Sequence, residues 1–116
     1  MSQTEHDRRI DYLEFPVADV ALARRFYSSV FGWTFTDYGP SYSSFSDGRL
    51  SGGFRGGETA STGGPLVVIY AADLEAVASA VQAAGGHITR PTFEFPGGRR
   101  FHFRDPCGHE LAVWSE

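Results

Sequence analysis

Two stretches decide the fold: "YLEFPVADVALARRFYSSVFGW", Tyr12–Trp33, and "LVVIYAADLEAVASAVQAAGGH", Leu66–His87. They are copies of one pattern. At a constant offset Asp19 aligns with Asp73, Tyr12 with Leu66 and Gly32 with Gly86. Each copy reads as a strand, a two-residue turn, an Asp, a helix and a Gly stop. Short aromatic strands broken by Gly, Pro and Asp follow in both halves. The repeat predicts β-α-β-β-β twice, an α+β fold in a single domain of 116 residues. Module one spans about 10–58, a Gly- and Ser-rich connection about 56–65, and module two about 65–115.

Local chemistry supports the assignment. Asp19 and Asp73 stand where a carboxylate accepts the free N–H groups of a first helical turn, worth ~1 kcal/mol each. Leu74, Val77, Ala78 and Val81 recur at helical spacing and form one apolar stripe. Leu22, Phe26 and Val30 do the same in the first helix, with Ala23 and Tyr27 widening the stripe. Gly32 and Gly85-Gly86 supply the positive-φ stops. In "IDYLEFPV", Leu13, Phe15 and Val17 point to one face, and Tyr12 and Glu14 to the other. The matching face in module two, Leu66, Val68 and Tyr70, is too apolar for open water. Two sheets curled around a shared hollow suit both halves.

Composition narrows the function. A formal charge of -4 and isolated Arg pairs give no nucleic-acid footprint. No apolar run reaches the ~18–20 residues of a membrane helix. The first nine residues are polar, lack the apolar centre of a signal peptide and read as a loose terminus. One cysteine, Cys107, allows no internal disulfide, and a cytoplasmic location is expected. "GGFRGGETASTGG" has no Lys and opens no helix, so it is a poor phosphate loop.

The segments "FPVADVALARRFYSSVFGW", "LSGGFRGG", "VVIYAADLEAVASAVQAAGGHITRP" and "RRFHFRDPCGHELAVW", taken in order, resemble the vicinal oxygen chelate superfamily. That group includes glyoxalase I, bleomycin-resistance proteins and extradiol dioxygenases. The likeness is greatest to a small bacterial glyoxalase-like branch. The resemblance implies paired modules whose sheets form a cupped mixed sheet. It also implies metal ligands on the first and last strands of each module. Those positions fall on Tyr12, Leu66, Ala112 and the Ser51–Gly53 region, where imidazole and carboxylate are lacking. A divalent metal needs about three or four N or O donors. The expectation is therefore a domain without a metal or other cofactor.

The remaining candidates are read singly. Glu14 shares the face of the lost first ligand. In an apolar cavity its pKa would rise and make it a tentative catalytic base; paired with an Arg or Tyr12, it is structural. Tyr12, Tyr70 and Trp114 face the cup as ligand-binding candidates, or pack. His102 lies between Phe101 and Phe103, on the opposite face from both. A metal site rebuilt from Glu14 and His102 is a further alternative. Phe45 and Phe54 are weaker cavity candidates. His109 is read as bonding its own turn, His87 as an exposed strand start, His6 as part of the tail, and Cys107 as a turn residue. The expected partner is a small, planar or apolar molecule held by a homodimer, without nucleic acid or membrane. The alternative is a metal-dependent lyase, isomerase or dioxygenase of glyoxalase type.

Overall fold

The computed structural model describes residues 3–60 and 63–116. After a 3-10 turn at Gln3–His6, where a loose terminus was expected, the described residues run through eight strands and two α-helices. Module one holds β1 (Tyr12–Pro16), α1 (Val20–Phe31), β2 (Thr34–Asp37), β3 (Tyr42–Ser46) and β4 (Ser51–Arg55). Module two holds β5 (Val67–Tyr70), α2 (Leu74–Ala83), β6 (His87–Phe95), β7 (Gly98–Arg104) and β8 (Glu110–Ser115). Ser61 and Thr62, inside the expected connection, lie outside the described residues.

The repeat is a repeat of topology. Each module makes one four-stranded mixed sheet, ordered β1-β4-β3-β2 and β5-β8-β7-β6. In both, the first strand lies parallel to the last, and the other pairs are antiparallel. Only a crossover can join parallel neighbours, and the helix supplies it. The helix ends follow the sequence. Asp19 Oδ1 accepts from the Leu22 amide, and Asp73 Oδ1 from the Ala76 amide, both at 3.1 Å. Gly32 closes α1 at φ 72°, a conformation a side chain would oppose.

The sheets turn their apolar faces to the helices and to each other's module. Phe26 of α1 packs 5.9 Å from Phe103 of β7, ring centre to ring centre. Tyr27 stacks on Trp33 at 4.6 Å and on Phe54 at 5.4 Å. Trp33 in turn stacks on Phe45 at 4.6 Å. Val20, Ala23, Phe26 and Tyr27 form the buried face of α1, so the stripe is rotated from the expected one and leaves Leu22 and Val30 half-buried.

A buried polar joint fixes the modules together. Asp105, 3% exposed, stands at the head of the β7–β8 turn. Its Oδ2 accepts from the Tyr27 hydroxyl at 2.7 Å, and its Oδ1 from the amides of Cys107 (2.9 Å) and His109 (3.0 Å). The His109 side chain does not bond its own turn as expected, although its backbone does. Its Nε2 lies 2.6 Å from the Pro16 carbonyl in β1, which can only accept, so the ring donates. Its ring also meets Phe15 edge-on at 5.2 Å.

Burial, then the Asp105 charge and its hydrogen bond, push the Tyr27 hydroxyl well above its ordinary pKa of 10.0. Above that pH the unfolded chain loses this proton while the native chain keeps it, so stability falls as pH rises. Tyr27→Phe should cost about 1–2 kcal/mol at pH 7 in urea unfolding. It should also show a shallower stability loss above pH 10. An unchanged neutral stability would contradict the joint.

Candidate functional site

Where β1 meets the start of β5 and the β7–β8 turn, a cavity of about 580 Å³ opens between the modules. Leu13, Phe15, Leu66 and Val67 give it apolar walls, Glu14, Arg104 and Glu110 bring charge, and His102 brings an imidazole. The His109 joint places these two walls opposite each other. An apolar cleft with a few placed polar groups is the usual form of a small-molecule site.

The two walls differ. On the first sheet, Glu14 lies in a network that engages both its oxygens. Oε1 accepts from the Tyr42 hydroxyl at 2.9 Å, and Oε2 from Arg55 at 2.6 Å. Arg55 also binds Glu58, and the hydroxyls of Tyr12 and Tyr42 bond each other. This cluster stands over Gly53. A Cβ there would collide with both tyrosine hydroxyls and push the pair aside. Burial, ahead of the bonds to Tyr12 and Glu14, drives the Tyr42 pKa upward. A guanidinium and a phenol therefore hold Glu14, the paired arrangement that the sequence reading set against a role as base.

On the second sheet the polar groups are less fully engaged. His102 is 9% exposed, and its Nδ1 lies 3.2 Å from Glu110 Oε2. Thr89 donates to the same oxygen, and Arg104 lies 4.0 Å from the other. A carboxylate only accepts, so Nδ1 carries the hydrogen and Nε2 is left buried without a partner. One row further along the face, Tyr70 meets Trp114 edge-on at 5.2 Å.

The structure thus brings Glu14 and His102 to one cavity and sets Tyr12 beside Glu14 through Tyr42. Tyr70 and Trp114 share the face of His102 without lining that cavity. Phe45 and Phe54 correct the sequence reading. They occupy the helix-facing side of their sheet, 3% and 1% exposed, because β3 and β4 alternate with Ser44 and Gly53 toward the cup. His87 is exposed, as read. Burial, then Asp105, pushes the Cys107 thiol up to about 11, which suits a turn residue better than a nucleophile. Sequence reading missed Arg55 and Tyr42, which carry no local signal because their partner Glu14 lies far along the chain.

The sequence profile of the Glyoxalase/Bleomycin resistance protein/Dioxygenase superfamily matches residues 9–113. The chain belongs to this superfamily. Solved structures share its fold at low identity. The fosfomycin resistance protein FosX from Mesorhizobium loti superposes with a TM-score of 0.79 at 20% identity, covering 94% of this chain and 92% of its own. A lactoylglutathione lyase from Agrobacterium tumefaciens gives 0.73 at 18%, covering 93% of each chain. TioX from Micromonospora sp. ML1 gives 0.72 at 24%, covering 90% of this chain and 96% of its own. Comparison with functionally curated proteins gave no match.

The metal that the superfamily implies does not fit this donor set. Tyr12 bonds Tyr42, Leu66 and Ala112 have no donor atoms, and Gly53 is filled over by the tyrosines. Among the described residues no three His, Cys, Asp or Glu side chains converge as a metal site would require.

Glu14→Gln keeps an oxygen for Tyr42 and loses only a solvent-screened ion pair. Chemical denaturation should show a loss below about 1 kcal/mol. A loss above about 2 kcal/mol would make the Glu14 network a folding element rather than a wall of the site.

Proposed function

We propose that this superfamily member binds a small planar or apolar molecule in its cup, without a metal, as one half of a homodimer. The observation that carries the reading is the open apolar edge beside the cavity. Leu66, just before β5, and Val68 and Tyr70 within it alternate at 39%, 41% and 51% exposure, and Tyr70 lies opposite Trp114. Three apolar side chains in a row on a water-facing edge are costly unless something covers them. A second copy covering the edge would complete the cup around a ligand, and closed twofold pairs are the commonest assembly. Among the described residues no helix is long and apolar enough to cross a membrane.

A second reading, a lyase, isomerase or dioxygenase of glyoxalase type, draws support from one pair. Glu110 orients the His102 imidazole as a carboxylate orients a proton-transferring histidine. On that reading His102, not Glu14, moves the proton. Glyoxalase-type isomerisation relies on a Lewis acid to stabilise its enediolate, and the inherited ligand positions offer no set of donors for one. Binding is therefore the stronger reading.

Protein incubated with Zn²⁺, Ni²⁺ or Mn²⁺ and then desalted should retain well under one equivalent by elemental analysis. Light scattering should give twice the 12.7 kDa chain mass. Stoichiometric metal would favour the enzyme, and a monomer at micromolar concentration would contradict the shared cup.

A further inference from the structure

One row of side chains crosses all four strands of the second sheet in register. Tyr70 of β5 lies opposite Trp114 of β8, Trp114 opposite Arg100 of β7, and Arg100 opposite Phe93 of β6. In the next row Ala112 lies opposite His102, and His102 opposite Arg90. Side chains directly opposite across strands project from one face, so both rows belong to the open side of the sheet.

Two guanidiniums converge there on one ring. The Arg90 guanidinium carbon sits 3.7 Å from the Phe93 centroid, and that of Arg100 sits 5.4 Å from it and 5.6 Å from Phe95. Phe95 continues the aromatic surface to Trp114 at 6.4 Å. Arg24, Arg55, Arg99 and Arg104 each lie near a carboxylate. Among the described residues, Arg90 and Arg100 have none within salt-bridge distance. Ring faces hold cations in place but do not satisfy their N–H groups or relieve their mutual repulsion.

Two buried orphans belong to side chains two residues apart on this face of β7. Arg100 Nε has neither solvent nor a partner, and neither has Nε2 of His102, a residue about nine-tenths buried. Native structures satisfy nearly all such atoms, with protein, water or ligand. Arg100 Nε–H calls for an acceptor. His102 Nε2, with Nδ1–H given to Glu110, calls for a donor.

We propose that this row recognises a small aromatic carboxylate. Its ring lies on Trp114 and Tyr70, and its carboxylate is taken by Arg100 and Arg90. A ring hydroxyl or similar donor would suit His102. A guanidinium matches a carboxylate with two parallel N–H bonds, and the negative charge removes the repulsion between the two arginines. The proposal rests on the reading of the chain as a small-molecule binder and gives that ligand its charge.

The test titrates the purified dimer with benzoate, with benzamide as the neutral isostere, and with inorganic phosphate, at low ionic strength. Tryptophan fluorescence and calorimetry follow binding, with Trp33, stacked in the core, as a constant background. Benzoate should bind saturably, and benzamide and phosphate at least about tenfold more weakly, a difference of one decade in Kd. Arg100→Gln and Arg90→Gln should each weaken benzoate by a similar factor and leave benzamide unaffected. Arg100→Lys, which keeps charge but loses the fork, should fall between. Arg49→Gln, in the exposed β3–β4 turn, should change nothing. Thermal melts and dimer mass should match the parent in every variant.

Equal binding of benzoate and benzamide would overturn the proposal while sparing the binder reading. Phosphate binding as tightly as benzoate would also overturn it, leaving only a general anion site. Loss of the dimer in Arg100→Gln would assign the arginines to the subunit contact instead. Failure of all three probes would overturn the proposal and leave the binder reading to its own test.

Discussion

The molecule depends on one buried carboxylate. Asp105 is a charge taken out of water, and such a charge persists only where hydrogen bonds replace hydration. Three donors supply them: a phenol from α1 and two amides from the turn that Asp105 begins. The phenol belongs to module one and the amides to module two. Satisfying the carboxylate therefore also docks the halves. The Tyr27 ring that delivers the hydroxyl is itself wedged against Trp33 and Phe54. Polar joint and aromatic core thus reinforce each other. His109, held at the end of the same turn, reaches the Pro16 carbonyl and brings that end of the second sheet against β1.

That docking creates the cavity and makes its walls unequal. The first sheet offers a closed polar network in which Tyr12, Tyr42, Glu14, Arg55 and Glu58 satisfy one another. Such a wall has little left to offer a ligand. The second sheet offers aromatic rings, a half-satisfied imidazole and two arginines with no carboxylate in salt-bridge range among the described residues. Ligand chemistry belongs with the incomplete wall. The superfamily's inherited donor positions follow the same division: in module one tyrosines fill over the place, while in module two Leu66 is exposed apolar surface and Ala112 lies fully buried.

Much of the fold was legible because it is local. The repeat, the capping Asp residues, the Gly stop of α1 and the inward phase of Leu13 and Phe15 each rest on spacing within one element. The sites of Tyr12, Glu14, His102 and Trp114 on the cup side followed from the same alternation. The facing of Phe45 and Phe54 was obscured by the glycines around them, which remove the side chains that would show the phase. Arg55, 41 positions from Glu14, could not be paired with it from sequence. The Arg90–Phe93 contact was hidden for another reason. Two register shifts in β6, around Thr89 and between Arg90 and Phe93, break the simple alternation that sequence reading assumes. Pro91 lies within the second shift, on an edge strand where its missing N–H is tolerated.

The central claim is that the β7–β8 turn locks the modules into one cooperative body. Native-state amide hydrogen exchange at Cys107 and His109, whose N–H groups bond Asp105, measures this directly. The account predicts that both amides exchange only with global unfolding, at the same free energy as those of Leu111 and Val113 in β8. Exchange at these two amides orders of magnitude faster, with β8 still protected, would show that the joint opens by itself and would contradict it.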